Sequence, residues 1–177
     1  REAAMLLTAM GAMLTLGACT TLGMAARGKL RRRISVLSSM LDACTFLRAE
    51  IEGPHTPLPD LIEALAHSQN PDQRRLFGEM KKRMEQSPGM SLGYHWSSTV
   101  RDLREELQFG EEAAAILRDA SAFLGRYDAS QQLQCLSYAM TRLESCRQQA
   151  CEAYRRHGSV YRTCGIAAGI FVVLILI

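Results

Sequence analysis

Apolar and polar positions divide this chain into two uninterrupted apolar ends and a periodic middle. From Ala3 to Ala26 no residue is charged, and as a helix that run would be about 36 Å long, enough to cross a hydrocarbon core. Cys164 to Ile177 is equally apolar but short for a full span. The pattern predicts an N-terminal transmembrane helix over residues 3–26, a soluble bundle over 27–162 and a C-terminal membrane segment over 163–177. If both ends enter one bilayer from one side, the first and last helices are antiparallel neighbours in the bundle.

The middle carries helical spacing almost throughout, with no convincing alternation of period two. Ile34, Leu37, Leu41, Cys44, Leu47 and Ile51 recur every three or four residues until Gly53-Pro54 ends the run. Pro57 and Pro59 suit the start of a helix whose apolar face is Leu58, Leu61, Ile62 and Leu65. Asn70-Pro71 restarts the chain, with Asn70 as N-cap and Gln73 as its capping-box partner, ahead of Leu76, Phe77, Met80 and Met84. Ser91 can cap a helix through Leu92, Trp96, Val100, Leu103 and Leu107, and Gly110 interrupts. Glu111 and Glu112 then suit a first turn, and Gly125 the position just past a helix end. Asp128, with Gln131 three residues on, caps the last and longest helix, whose face runs through Leu133, Leu136, Met140 and Leu143. The predicted fold is all-α, a compact bundle of about six helices flanked by membrane helices.

Composition changes this picture little. The 177 residues are 47% hydrophobic with a formal net charge of +3, which suits one globular domain plus its membrane segments. Arg27, Lys29, Arg31, Arg32 and Arg33 form the one basic block, directly behind the apolar run. That placement suits anionic lipid headgroups, and the scarcity of interleaved aromatics argues against nucleic acid. Six cysteines lack CxxC spacing and fall at apolar or small-residue positions of helices, as free thiols do.

Leu16-Gly17-Ala18-Cys19 resembles a bacterial lipobox, which opens an alternative: a lipoprotein anchored through Cys19 and acting outside the membrane. A signal peptide needs positive charge before its apolar core, but the basic block here follows it. The positive-inside rule places that block, and the bundle behind it, in the cytoplasm. Arg155, Arg156 and Arg162 ahead of the C-terminal segment agree.

Candidate chemistry is sparse. His55, His67, His95 and His157 stand far apart, with no Cys, His or carboxylate at ligand spacing. Ser91, Ser97 and Ser98 near His95 read as caps and helix surface. Glu105, Glu106, Glu111 and Glu112 read as a solvated helix end or a partner-facing acidic patch, and Met80, Met84 and Met90 as core. Cys146 and Cys151 have no histidine at a spacing that would activate them. No catalytic residue, metal site or cofactor is predicted.

Two stretches, "FLRAEIEGPHTPLPDLIEALA" and "FLGRYDASQQLQCLSYAMTRLE", resemble the stage III sporulation protein AB family of endospore formers. The elements that carry the resemblance begin with Ala18-Cys19-Thr20-Thr21 in the leading helix and the basic exit behind it. Glu50, Gly53 and Thr56 to Pro59 follow, then Leu124-Gly125 with Asp128, Gln131 and Gln132, and a closing apolar helix. The middle, around "SPGMSLGYHWSSTV", matches only in length and helical character. The resemblance implies a non-enzymatic, membrane-anchored platform or assembly component of the channel complex between mother cell and forespore. The implied location is the mother-cell membrane around the forespore. The implied partners are other stage III sporulation membrane proteins, a cytoplasmic secretion-type ATPase and membrane lipids, and homo-oligomerisation stays open. The family in turn looks similar to the cytoplasmic helical domain of type II secretion and type IV pilus inner-membrane platform proteins. On this reading Glu50, Gly53, Pro57, Pro59, Gly125, Asp128, Gln131 and Gln132 are structural or interaction residues. Arg27, Lys29, Arg31, Arg32 and Arg33 face the membrane surface.

Overall fold

The computed structural model describes the backbone of residues 2–54, 56–124 and 128–176, and the side-chain surroundings of residues 27–54, 56–124 and 128–156. Among the described residues there are six helices and no strand: α1 (Glu2–Glu52), α2 (Leu58–Ala66), α3 (Pro71–Gln86), α4 (Leu92–Leu107), α5 (Glu111–Ser121) and α6 (Ala129–Leu176). The chain divides into two compact units, residues 32–149 and residues 1–31 with 150–177. Both divisions fall inside the 27–162 stretch expected to form the bundle.

The unit of residues 32–149 is the helical bundle. α1 supplies its broadest face, with Val36, Leu37, Met40, Ala43, Cys44, Leu47 and Ile51 all buried. Leu61, Ile62 and Leu65 of α2, Leu76, Phe77 and Met80 of α3, and Trp96, Val100 and Leu103 of α4 pack into the same core. Ile116 and Leu117 of α5 and Leu136 and Leu143 of α6 complete it. Each fully buried Leu or Ile contributes about 1.5–3 kcal/mol relative to an exposed one. Phe77 meets Trp96 edge to face at 5.5 Å, a geometry the ring quadrupoles favour. Met80 is buried and Met84 packs against the core, whereas Met90 is exposed and does not join it as expected.

Local chemistry sets where the helices turn. The Asn70 side chain accepts from the Asp72 and Gln73 amides, capping α3. The expected capping box does not close. Gln73 is buried and donates instead to the Ser39 carbonyl of α1 at 2.8 Å, while the Ser68 hydroxyl serves the Asn70 amide. The Ser68 hydroxyl in turn donates to Gln73 Oε1 at 2.6 Å, so it stands between the two expected partners, and both polar atoms of the buried Gln73 amide are satisfied. Ser91 caps α4 by accepting from Tyr94. α4 ends with Gln108 in the left-handed region (φ 58°) and fully buried Phe109, and Gly110 (φ 79°, ψ 160°) opens α5. A side chain there would be strained by the backbone and would meet the Arg33 guanidinium at 2.8 Å. At the other end, the Gly93 position of α4 lies so close to the Ser121 carbonyl that a Cβ would sit 2.8 Å away. α5 stops at Ser121, short of Leu124, and Gly125, expected to end it, lies outside the described residues.

These contacts order the two ends of the bundle. Arg32, the start of α3 and the start of α5 share one end. The α3–α4 turn, the end of α5, the α1–α2 turn and the start of α6 share the other.

In the unit of residues 1–31 and 150–177, the Arg27 guanidinium lies 4.8 Å from the centre of the Tyr154 ring, and Arg156 pairs with Glu152 at 3.6 Å. α1 and α6 are therefore neighbours there. Among the described residues no helix is long and apolar enough to cross a membrane. The expected spans, 3–26 and 163–177, consist of residues whose side chains lie outside the described ones, and so does Cys19.

Candidate functional site

Many of the charged groups of the bundle are paired with one another. α3 and α4 are tied together by Arg75–Glu106 at 2.6 Å and Arg83–Asp102 at 2.8 Å, with Glu79 bridging Arg75 and Arg83 from within α3. Lys81 ties α3 to Glu63 of α2 at 2.7 Å, and Arg147 forks onto Glu144 within α6. The hydrogen-bonded cations hold Glu63, Asp102, Glu106 and Glu144 below the usual carboxylate range. Glu105 and Glu111 share Arg104. Three of the four carboxylates around Gly110, Glu105, Glu106 and Glu111, are thus in ion pairs at helix ends.

Three thiols, Cys44, Cys135 and Cys146, are held in the opposite sense. Cys44, Cys135, Cys146 and Cys151 are free. Burial pushes Cys44 up to about 12. Burial and then the neighbouring Glu112 carboxylate push Cys146 up, and burial and then Asp119 do the same to Cys135. A nucleophilic cysteine needs a depressed value, so these thiols are placed as packing atoms. His95 is buried on α4, and its Nε2 meets the Ser87 carbonyl at 3.1 Å, tying the helix to the turn before it. Among the described residues no group of His, Cys, Asp and Glu could hold a metal ion. The arrangement is suited to holding helices together and presenting surfaces.

Two surfaces at the end opposite Arg32 stand out. The first is a cleft of about 210 Å³ lined by Ile51, Thr56, Pro57, Leu58, Ala129 and Gln132. It brings together the α1–α2 turn and the start of α6, segments far apart in sequence. Each is rigidly built. Thr56 donates to Glu50 at 2.8 Å, the Gly53 amide donates to the Ala49 carbonyl, and the Pro57 carbonyl accepts from Asp60 and Leu61. Pro59 fills the first turn of α2. On the other wall, Asp128 Oδ1 accepts from the Gln131 amide at 2.9 Å and the Asp128 carbonyl from the Gln132 amide at 3.0 Å, so Asp128 caps α6. The second surface is a larger groove of about 740 Å³ between α5 and α6, rimmed by the exposed aromatics Phe123 and Tyr138. In the sequence those two are isolated aromatics, and nothing there signals that they share a groove.

The basic block is divided between the two units. In the bundle unit, Arg32 forks onto the buried Asp72 carboxylate at 2.5 and 3.0 Å. Arg33 packs its guanidinium against Gly110, and its Nε is buried with no hydrogen-bond partner. In the other unit Lys29 and Arg31 are exposed and Arg27 covers Tyr154. Arg32 and Arg33 therefore turn into the bundle rather than towards a membrane surface as expected. The sequence signals for this are Asp72 in the first turn of α3 and the lone Gly110 ahead of two acids.

The sequence model of the family described as stage III sporulation protein AB matches residues 8–177. The stage III sporulation protein AB of Bacillus subtilis (strain 168) is 23% identical over 145 residues, which cover 82% of this chain and 82% of that protein. No solved structure matches the chain. The family match runs through both cleft-forming segments and nearly the whole chain, so this chain belongs to the stage III sporulation protein AB family.

Proposed function

We propose that the chain is a non-enzymatic, membrane-anchored assembly component of the sporulation channel complex between mother cell and forespore. The observation that carries this reading is the convergence of the "TPLP" turn and the Asp128–Gln132 cap on one cleft. The segments that carry the family resemblance build a rigid surface rather than a reactive centre. The paired carboxylates and protonated thiols of the bundle support a role without chemistry.

The anchors on this reading are the uncharged run 3–26 and the apolar segment 163–177, with the bundle on the cytoplasmic side. Lys29 and Arg31, exposed beside the first run, meet anionic headgroups. Arg32 and Arg33 belong to the bundle instead. The cleft faces other stage III membrane proteins or a cytoplasmic secretion-type ATPase, as in a type II secretion platform.

The test is site-specific photocrosslinking in sporulating cells. A crosslinker at Thr56 or Gln132 should capture stage III proteins or their ATPase, and one at Lys82, beside the ion-paired α3–α4 face, should not. Capture of those partners from Lys82 but not from the cleft would reverse the assignment of the surface. Capture only of proteins of the outer membrane face would end the proposal.

A further inference from the structure

We infer that the α5–α6 groove is a self-association surface, seating the same groove of a second copy of this chain about a two-fold axis. Asp119 of each copy meets Arg142 of the other. The inference does not depend on the sporulation reading.

The groove has an apolar floor, including Ala120, Cys135 and Ala139, between two large exposed aromatics: Phe123 is 41% and Tyr138 66% exposed. Partly exposed aromatic side chains beside an apolar trough are the usual anchors of an interface. The rim charges are complementary to those of a second copy. Asp119 stands on α5 with its side chain 74% exposed, and Arg142 on α6 reaches it only at 4.0 Å. The ion pairs that tie α3 to α2 and α4 close at 2.6 to 2.8 Å. The Arg142 guanidinium also lies over the Tyr138 ring at 5.8 Å, which keeps it on the groove.

One acid and one base, loosely paired across an apolar trough, make a rim with no net charge. A strongly acidic or basic partner would bring like charge against one of them. A two-fold axis between the pair does the reverse. It sets each Asp119 against the partner copy's Arg142 and each groove floor against the partner copy's aromatics, so every contact is made twice.

The experiment uses the full chain purified in detergent micelles, with protein mass measured by light scattering over a concentration series. The wild type should pass from monomer to dimer as concentration rises. Asp119→Arg alone and Arg142→Asp alone should each weaken association roughly tenfold, because two attractive contacts become repulsive. An equimolar mixture of the two single variants should recover association, since positions 119 and 142 then carry opposite charges across the axis in both contacts. The double variant should recover it alone. Tyr138→Asp should abolish it, with far-UV circular dichroism confirming that each variant keeps its helices. A wild type that stays monomeric, single reversals that leave association unchanged, or a mixture no better than its components would each overturn the inference. Binding of an unrelated protein in the groove without self-association would overturn it too.

Discussion

Replacing Arg32 by Ala tests whether this residue belongs to the bundle or to the membrane surface. Asp72 is buried, with its side chain only 6% exposed, and Arg32 makes two charge-assisted hydrogen bonds to it. Removing one partner of a fully buried pair costs about 3–5 kcal/mol, because the remaining charge is left uncompensated. The Arg32 side chain is 40% exposed, so water can reach the vacated position and relieve part of that penalty. The expected cost is about 2 kcal/mol, near the value of hydrogen bonds to charged groups. Asp72→Asn, which keeps one acceptor, should cost about half as much, and the double variant should show coupling between the sites. Trp96 is the one tryptophan in the chain and is 2% exposed, so its fluorescence reports the unfolding of the bundle in urea even in micelles. Arg31→Ala, one residue earlier and exposed, is the control and should stay within about 0.5 kcal/mol of wild type. If Arg32→Ala is as mild as Arg31→Ala, the Asp72 pair contributes nothing and the inward assignment of Arg32 fails.

Two glycines should respond in opposite directions to alanine: Gly110→Ala should destabilise by about 2 kcal/mol, through its φ of 79° and the Arg33 guanidinium, as urea midpoints will show. Gly78→Ala, inside α3 with nothing within 4 Å of a new Cβ, should stabilise by up to about 1 kcal/mol. Asp128→Ala should cost about 1 kcal/mol in the same assay, and Asp128→Asn much less, because Asn can still accept from the Gln131 amide. Cys44 sits at about 12 in the folded chain against an ordinary 9.0, so the folded state holds its proton through a window in which the unfolded state has lost it. That contribution is complete below pH 9 and is lost as pH rises towards 12, the loss amounting to about 1 kcal/mol at pH 10. Comparing wild type with Cys44→Ala at pH 7 and pH 10 isolates it, and an identical pH dependence for both would refute it.

Much of the helical order is legible in the sequence because caps and breakers are local. Asn70, Ser91 and Asp128 each offer an oxygen to amides two or three residues on, and that chemistry needs nothing from the rest of the chain. What depends on the far side of the core is not legible. Gln73 has the spacing of a local capping partner, but the Ser68 hydroxyl stands between it and the Asn70 amide, and its Nε2 donates to a carbonyl thirty-four residues upstream. The spacing along α1 selects Ile34 and Leu41, which are half-buried, while Val36, Met40 and Ala43 are fully buried. The helix is covered across a wider arc than a single stripe. The basic block fails as a unit for a related reason. Successive helical residues point about 100° apart, so a run from Arg27 to Arg33 cannot share one face, and Arg32 and Arg33 turn to Asp72 and Gly110. The cleft is legible only as two separate segments, and the α5–α6 groove not at all, since Phe123 and Tyr138 meet through tertiary packing.

The central claim is that a membrane-anchored bundle presents its cleft end in the cytoplasm. It is tested most directly by placing a cysteine at Pro54, in the exposed turn after α1, producing the chain in non-sporulating cells so that it sits in their plasma membrane, and treating those cells intact with an impermeant maleimide. The parent chain without that cysteine gives the background. The account predicts no added label until the membrane is opened, then rapid labelling. Labelling of that turn from outside intact cells would contradict the account and return the chain to the lipoprotein reading through Cys19.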